Sequence, residues 1–339
     1  MTLNALLFII GLTLATMTLL DVFETVVVPG GSRASLRVAR RLVWVLLPVW
    51  KSVRGRQHGL SGSFAPLVLV LCFVTWMALM ALGFGLMADA VRGDFRPPLN
   101  SLLDAIYIVG SSLVTVGLAA SSPSGLARWI VLGAGFCGLA VMTMAVTYLL
   151  EVQGSVAKRD IGIIKLNTSA GDPPSAVTLL QRFSAIGNRD ELAGLLREGR
   201  DWCATVRQSH SNHPSLIYFQ SVGTGAGWPA ALGALLDLAL LAEHTLDDRS
   251  LSGPAVLLRD EGTQMARELA RVIGVKPIEV TSDEPELEQA VKKLESSGYD
   301  IRPRINFSIQ SEQRAVYRCL VDALALHLGK PATKLVRQE

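Results

Sequence analysis

Residues 99–126, LNSLLDAIYIVGSSLVTVGLAASSPSGL, are the stretch whose residue types and spacing promise chemistry. The stretch is too apolar for an external loop and too short to cross a bilayer twice, since each helical crossing takes about 20 residues. A re-entrant segment fits. Ser101 and Asp104 stand at capping-box spacing, so a short pore helix over 101–114 can start there and hold Tyr107, Ser111 and Ser112. The chain must then turn back as bare backbone, which is tolerated at membrane depth only when protein buries it or it lines a water-filled cavity. Residues 115–119 (Thr115, Val116, Gly117, Leu118 and Ala119) are therefore expected to face a pore.

Other reactive groups are sparse. Asp21 and Glu24 lie three apart on one helical face near the end of an apolar run, where charge is costly; they serve either a function or an ion pair with Arg37, Arg40 or Arg41. The cysteines Cys72, Cys137, Cys203 and Cys319 form no C-x-x-C and have no histidine at metal-ligand spacing, so neither a disulfide framework nor a zinc site is expected. His210 and His213 read as a solvent-facing pair in a polar loop. Gly223, Gly225 and Gly227 follow a short β-like run, but Trp228 stands where a dinucleotide fingerprint needs its third glycine. No catalytic constellation is found, and no metal or organic cofactor is implied.

The elements that must position the re-entrant segment follow from composition. Of the 339 residues 50% are hydrophobic and only 18% charged, which excludes a disordered or fully soluble chain. Apolar runs at 5–28, 64–88 and 127–151 are long enough to span. The first begins the chain without a basic flank or a small-residue cleavage site, and reads as a retained signal anchor. Residues 1–152 carry 10 Lys/Arg and 6 Asp/Glu, and 7 of those basic residues fall between Arg33 and Arg56. That clustering is a topology signal rather than a nucleic-acid footprint. It puts the 33–56 segment and everything after Lys158 on the cytoplasmic side, and the N-terminus and residues 89–126 outside.

The expected organisation is mainly α, an integral membrane pore-loop fold of three spans and a re-entrant helix. It comprises an N-terminal span (1–31) and a basic helix (32–60) lying on lipid with Trp44 and Trp50 at headgroup depth. A pore domain (61–152), a linker (153–175) rich in Gly and Pro, and a helical cytoplasmic domain (176–339) complete it. In that last domain helices are expected near 175–187, 189–209, 227–246, 255–273, 284–298 and 310–329, with β-like runs at 215–220 and 277–281. The apolar 227–246 stretch contains Asp237 and Pro229 and reads as a buried core helix, not a fourth span.

The pore segment resembles the filter of tetrameric potassium channels, in which a T-V-G-Y-G stretch follows a short helix between two spans. Pro123, eight residues after Thr115, Arg128 opening the next helix, and Gly138, ten residues further, match that family's order, and the likeness covers residues 64–152. The resemblance implies a homotetramer with Gly138 as gating hinge, in the plasma or inner membrane. In it, rings of carbonyls from residues 115–118 and the Thr115 hydroxyl replace the hydration shell of K+ or another monovalent cation. The pore helix would aim its negative C-terminal end at that ion. The family has an aromatic, a glycine and an acid where Leu118, Ala119 and Ala120 stand, so the outer filter is expected to be remodelled. Two readings follow: a cation channel, or a non-conducting membrane sensor or scaffold whose helical domain binds a partner the sequence does not specify.

Overall fold

Withheld from water, an apolar run has to satisfy its backbone groups internally, and three runs do so as helices long enough to cross a membrane. The computed structural model describes residues 3–28, 38–54, 64–118, 121–221 and 225–336, with no side chains for 39, 40, 51, 53 and 54. The long apolar helices are α1 (Leu3–Val26), α3 (Phe64–Ala90) and α5 (Gly125–Ala170). α2 (Val38–Arg54) lies between the first two, and the short α4 (Leu102–Leu113) between α3 and α5. The chain divides into two units, Met1–Val152 and Gln153–Glu339.

In the first unit small residues set the helix separations, as membrane packing requires when no hydrophobic effect drives helices together. Gly11 of α1 lies against the Gly83 carbonyl of α3, and a Cβ on Gly83 would sit 3.0 Å from the Ala15 nitrogen. Gly85 of α3 likewise leaves room for Ile106 of α4, at 2.5 Å from a notional Cβ. The core gathers Met80, Phe84 and Met87 of α3, Ile108, Val109 and Leu113 of α4, and Ile130 and Ala134 of α5. α2 presents Trp44, Val45 and Val49 outward, whereas Trp50 is buried and stacks on Phe64 at 4.8 Å. Residues 29–37 and 55–63, which bracket α2, lie outside the described residues.

The linker expected over 153–175 is helix as far as Ala170, a continuation of α5. A single Gly154 costs a helix only about 1 kcal/mol, too little to break it. The stop comes at Gly171 and Pro173, where the chain cannot continue as helix.

In the second unit, α6 (Ala176–Ala185), α7 (Leu192–Asn212), α9 (Arg249–Ile273) and α11 (Phe307–Leu328) pack around α8 (Gly227–His244), which is buried from Gly227 to Ala242, and α10 (Glu284–Ser296) packs on α11 and α6. The one charge in that buried stretch, Asp237, accepts both Arg314 Nε and Nη2 at 2.8 Å and the Tyr317 hydroxyl at 2.7 Å. Arg314 also reaches Asp283 (2.9 Å) and Glu286 (2.8 Å), so a buried cation is matched by three carboxylates, one from α8 and two from the start of α10. The β-like runs do not become strands: 215–220 lies largely in the 3₁₀ turn Pro214–Tyr218, and 277–281 is irregular. A lone short run has no neighbour to pair with. His210 and His213 are also corrected to buried positions, because α7 runs on to Asn212 and turns His210 beneath Trp228.

Candidate pore-lining site

The site is built from the last turn of α4. Ser101 caps the helix start: its hydroxyl accepts from Asp104 N at 3.2 Å, and Asp104 Oδ2 accepts from Ser101 N at 3.1 Å. Two otherwise orphaned N–H groups are satisfied and an acid sits where the helix dipole favours it. At the other end the chain folds back on the helix. Thr115 N donates to Ser112 O (2.9 Å), and Val116 N and Gly117 N both donate to Ser111 O (2.8 and 3.1 Å). The N–H groups of three consecutive residues thus occupy the carbonyls that a helix end leaves unsatisfied.

This pairing decides which way the segment presents its polarity. With the N–H groups turned onto α4, the carbonyls of Thr115, Val116 and Gly117 accept no hydrogen bond among the described residues. Residues 115–118 are all exposed in the single chain, Val116 at 60% and Leu118 at 54%. The Leu118 carbonyl differs: the Ser111 hydroxyl lies 2.7 Å from it and 2.8 Å from the Ile108 carbonyl, its single proton within reach of both. Ser111 therefore braces the segment from the helix side.

The backbone conformation is demanding. Gly117 has φ of +71°, natural for a residue without Cβ, but Thr115 has φ of +61°. For a β-branched residue this is an outlier, costing about 1 kcal/mol. Ala119 and Ala120, where the outer filter is expected to be remodelled, lie outside the described residues.

α5 supports the segment at close range. Ser112 Oγ donates to Val131 O at 2.9 Å, and a Cβ on Gly135 would be 3.0 Å from Ser112 Oγ. Gly138 is tighter: a Cβ there would run into the Leu113 carbonyl and the Leu113 backbone. α5 passes through Gly138 without a break, and the bare backbone there makes room for the Leu113 backbone of α4. Tyr107 is exposed at 58%.

Sequence reasoning missed the outer anchor. Asp94 precedes the two-residue ladder of β1 (Phe95–Arg96) and β2 (Ser122–Pro123), in which Phe95 pairs with Pro123 and Arg96 with Ser122. Its carbonyl accepts from Ser124 N (2.7 Å) and Ser124 Oγ (2.5 Å), and its Oδ2 accepts from Leu126 N (3.2 Å) in the first turn of α5. These contacts span about thirty residues, and no local spacing announces them.

Asp21 is fully buried. It accepts from Trp76 Nε1 at 2.8 Å and from Val38 N at 3.3 Å, tying α1 to α3 and to the start of α2. Glu24 Oε2 is buried with no hydrogen-bond partner among the described residues, and the side chains of Arg37 and Arg40, two of the expected ion-pair partners, lie outside them. Of the glycine-rich stretch after Tyr218, Gly223 and Thr224 lie outside the described residues; Gly225 N donates to Asp172 Oδ2 (3.2 Å) and Gly225 O accepts from Lys330 Nζ (3.0 Å).

Comparison with known families places this segment within a matched region. The model of a family described as "Ion channel" matches residues 67–153, about a quarter of the chain, from α3 through α4 and the filter-like segment into α5. No curated protein and no solved structure matches the chain. The chain is a membrane protein with an ion-channel domain: a mainly helical pore-loop fold with three apolar helices of spanning length, followed by a helical domain.

Proposed function

We propose that four copies assemble around one axis and conduct a monovalent cation through the segment at residues 115–118. The observation that carries this reading is the pairing of the Thr115, Val116 and Gly117 N–H groups with α4, which leaves their carbonyls without a partner among the described residues. Four such strands would offer stacked rings of carbonyl oxygen in place of water, with the Thr115 hydroxyl at the inner end. The α4 C-terminus, worth about half a negative charge, would add to the attraction. An anion would meet the same oxygens as repulsion.

Selectivity in this reading is weak. The Leu118 carbonyl is engaged by Ser111, so the outermost ring is reoriented and fewer ligands remain to separate K+ from Na+. That same hydrogen bond favours the second reading, a pore that does not conduct and a protein that senses or scaffolds through its helical domain. α2, with Trp44 and Val49 exposed and Arg41 beside them, would rest on lipid at the cytoplasmic face. The helical domain would lie on that face too, and the N-terminus outside.

Planar-bilayer recording of the purified protein with K+ on one side and Na+ on the other tests the reading. Unitary cation currents with a reversal potential within a few tens of millivolts of zero are expected. Absence of current across all voltages favours the scaffold.

A further inference from the structure

Within the second unit, the tail of α5 from Gln153 to Ala170 is fastened to α7 and to the 3₁₀ turn after it around one buried cation. Arg159 is 1% exposed; its Nη1 donates to the Leu216 carbonyl at 3.1 Å and lies 3.4 Å from His210 Nε2. Trp202 of α7 donates its Nε1 to the Arg159 carbonyl at 3.0 Å, and Gly162 leaves the space that its ring fills. His210 is fully buried in the last turn of α7 beneath the Trp228 ring, with Ser209 Oγ 3.1 Å from Nδ1. A guanidinium carries only donors, so Nε2 meets it as an acceptor, with the ring neutral and its one proton on Nδ1.

We propose that this cluster is an acid-sensitive latch: a proton on His210 Nε2 turns a hydrogen bond with Arg159 into a meeting of two buried cations, and releases residues 157–168 of α5 from α7. The surroundings offer the new charge little. α5 presents Arg159, whose Nε is already met by Asp160 Oδ1 at 3.0 Å; the turn after α7 presents His213; α8 presents the Trp228 ring. The α9 acids that reach α7, Glu261 and Glu268, are held by Arg207 (2.7 Å) and Ser211 (3.0 Å). A place in the last turn favours a cation through the helix dipole, but burial first and Arg159 second outweigh it and hold the ring well below 6.5.

The tail is the part that gives. Those same bonds from Arg207 and Ser211 keep α7 on α9, whereas the tail turns Ile161 and Ile164 outward and holds on through Arg159, Ile163, Leu166 and Ala170. Once released, His210 titrates near its ordinary 6.5, so the fraction of open tail should rise about tenfold from about pH 7.5 to about pH 5.5. Every group involved lies in the second unit, and the inference stands whether or not the protein conducts.

Thiol labelling of the full-length protein in nanodiscs with a dipyridyl disulfide, read site by site by peptide mass spectrometry, tests this. Ile163→Cys places a thiol on the buried face of the tail, and Ile161→Cys on its exposed face corrects for the reagent's own pH dependence. Native Cys203, fully buried on α7 where Glu261 of α9 acts on it, reports global unfolding. Corrected labelling at 163 should quicken about tenfold from about pH 7.5 to about pH 5.5 and stay faster than at Cys203; adding His210→Gln, which stays neutral, should hold the change within about twofold. The Ile163→Cys protein alone can overturn the latch: it fails if labelling at 163 does not quicken, or if it only keeps pace with Cys203, which would make His210 a contributor to overall stability and nothing more. An undiminished acid response with His210→Gln overturns it as well.

Discussion

Three glycines of α5, Gly135 and Gly138 facing α4 and Gly133 facing α3 as a control, provide a graded test of what holds the filter-like segment in place. Replacing glycine with alanine inside a helix gains about 1 kcal/mol of propensity when the site has room. At Gly133 it does: the nearest atom to a new Cβ is Phe84 Cε1 at 3.7 Å, ordinary van der Waals contact. Gly133→Ala should stabilise by up to about 1 kcal/mol. At Gly135 the Cβ meets Ser112 Oγ at 3.0 Å, and that hydroxyl can swing away only by giving up its bond to Val131 O. Losing the bond costs about 1 kcal/mol, so Gly135→Ala should be close to neutral. At Gly138 every close atom is Leu113 backbone, which cannot rotate aside. Overpacking costs about 1–3 kcal/mol where side chains must shift, and more where two helices must separate, so Gly138→Ala should be net destabilising by at least about 1 kcal/mol. Denaturant unfolding in detergent, followed by tryptophan fluorescence, should rank the proteins Gly133→Ala, then wild type with Gly135→Ala, then Gly138→Ala. A purely flexible hinge at 138 predicts instead that alanine stiffens and stabilises there as it does at 133. Equal stability of the two variants would refute the close-contact account.

Other outcomes follow from the same geometry. Ser111→Ala frees the Leu118 carbonyl, and should alter the K+/Na+ permeability ratio while leaving thermal stability within about 1 kcal/mol of wild type; an unchanged ratio would remove Ser111 from the filter's support. Arg314→Leu strands the buried Asp237 without its cation, whereas Asp283 keeps Arg318 and Glu286 keeps the Leu335 and Val336 amides, and should cost about 3–5 kcal/mol of second-unit stability, read by thermal unfolding; a loss below about 1 kcal/mol would show Asp237 to be hydrated. Burial first, and then the Arg159 charge, hold His210 well below its ordinary 6.5. The folded state therefore keeps a neutral imidazole, and stability is complete above that value. As pH falls below 6.5 the unfolded chain takes up the proton first, so stability should decline by up to about 1.4 kcal/mol per pH unit. His244, also lowered chiefly by burial, adds to the decline. His210→Gln should flatten the dependence, and an unaltered slope would contradict the assignment.

What the sequence disclosed was local, and what it concealed was long-range. Runs of apolar residues of spanning length are a one-dimensional signal, so α1, α3 and the first half of α5 could be read directly. Ser101 and Asp104 bond within one turn, which makes the start of α4 equally visible. α8 was legible as a core helix because one acid, Asp237, interrupts an otherwise apolar stretch too short to span. Its partner Arg314 was not legible, since 77 residues separate the two. Asp94 capping the start of α5, and Gly138 against the Leu113 carbonyl, depend on pairings between elements that no periodicity encodes. The helical tail of α5 was hidden for another reason: Gly154 was given the weight of a helix breaker, although a covering face of Ile163 and Leu166 outweighs its small propensity cost.

The central claim is that the backbone of residues 115–118 lines the ion path, and Gly117 tests it most directly. Its φ of +71° excludes a Cβ without strain, and a side chain there would crowd the axis among symmetry mates, while α4 and the three long helices do not depend on it. Currents of wild type and Gly117→Ala, recorded side by side in bilayers after both are shown to have the same oligomeric mass, should differ by complete loss of conduction in the variant. Undiminished currents in Gly117→Ala would mean that ions pass elsewhere.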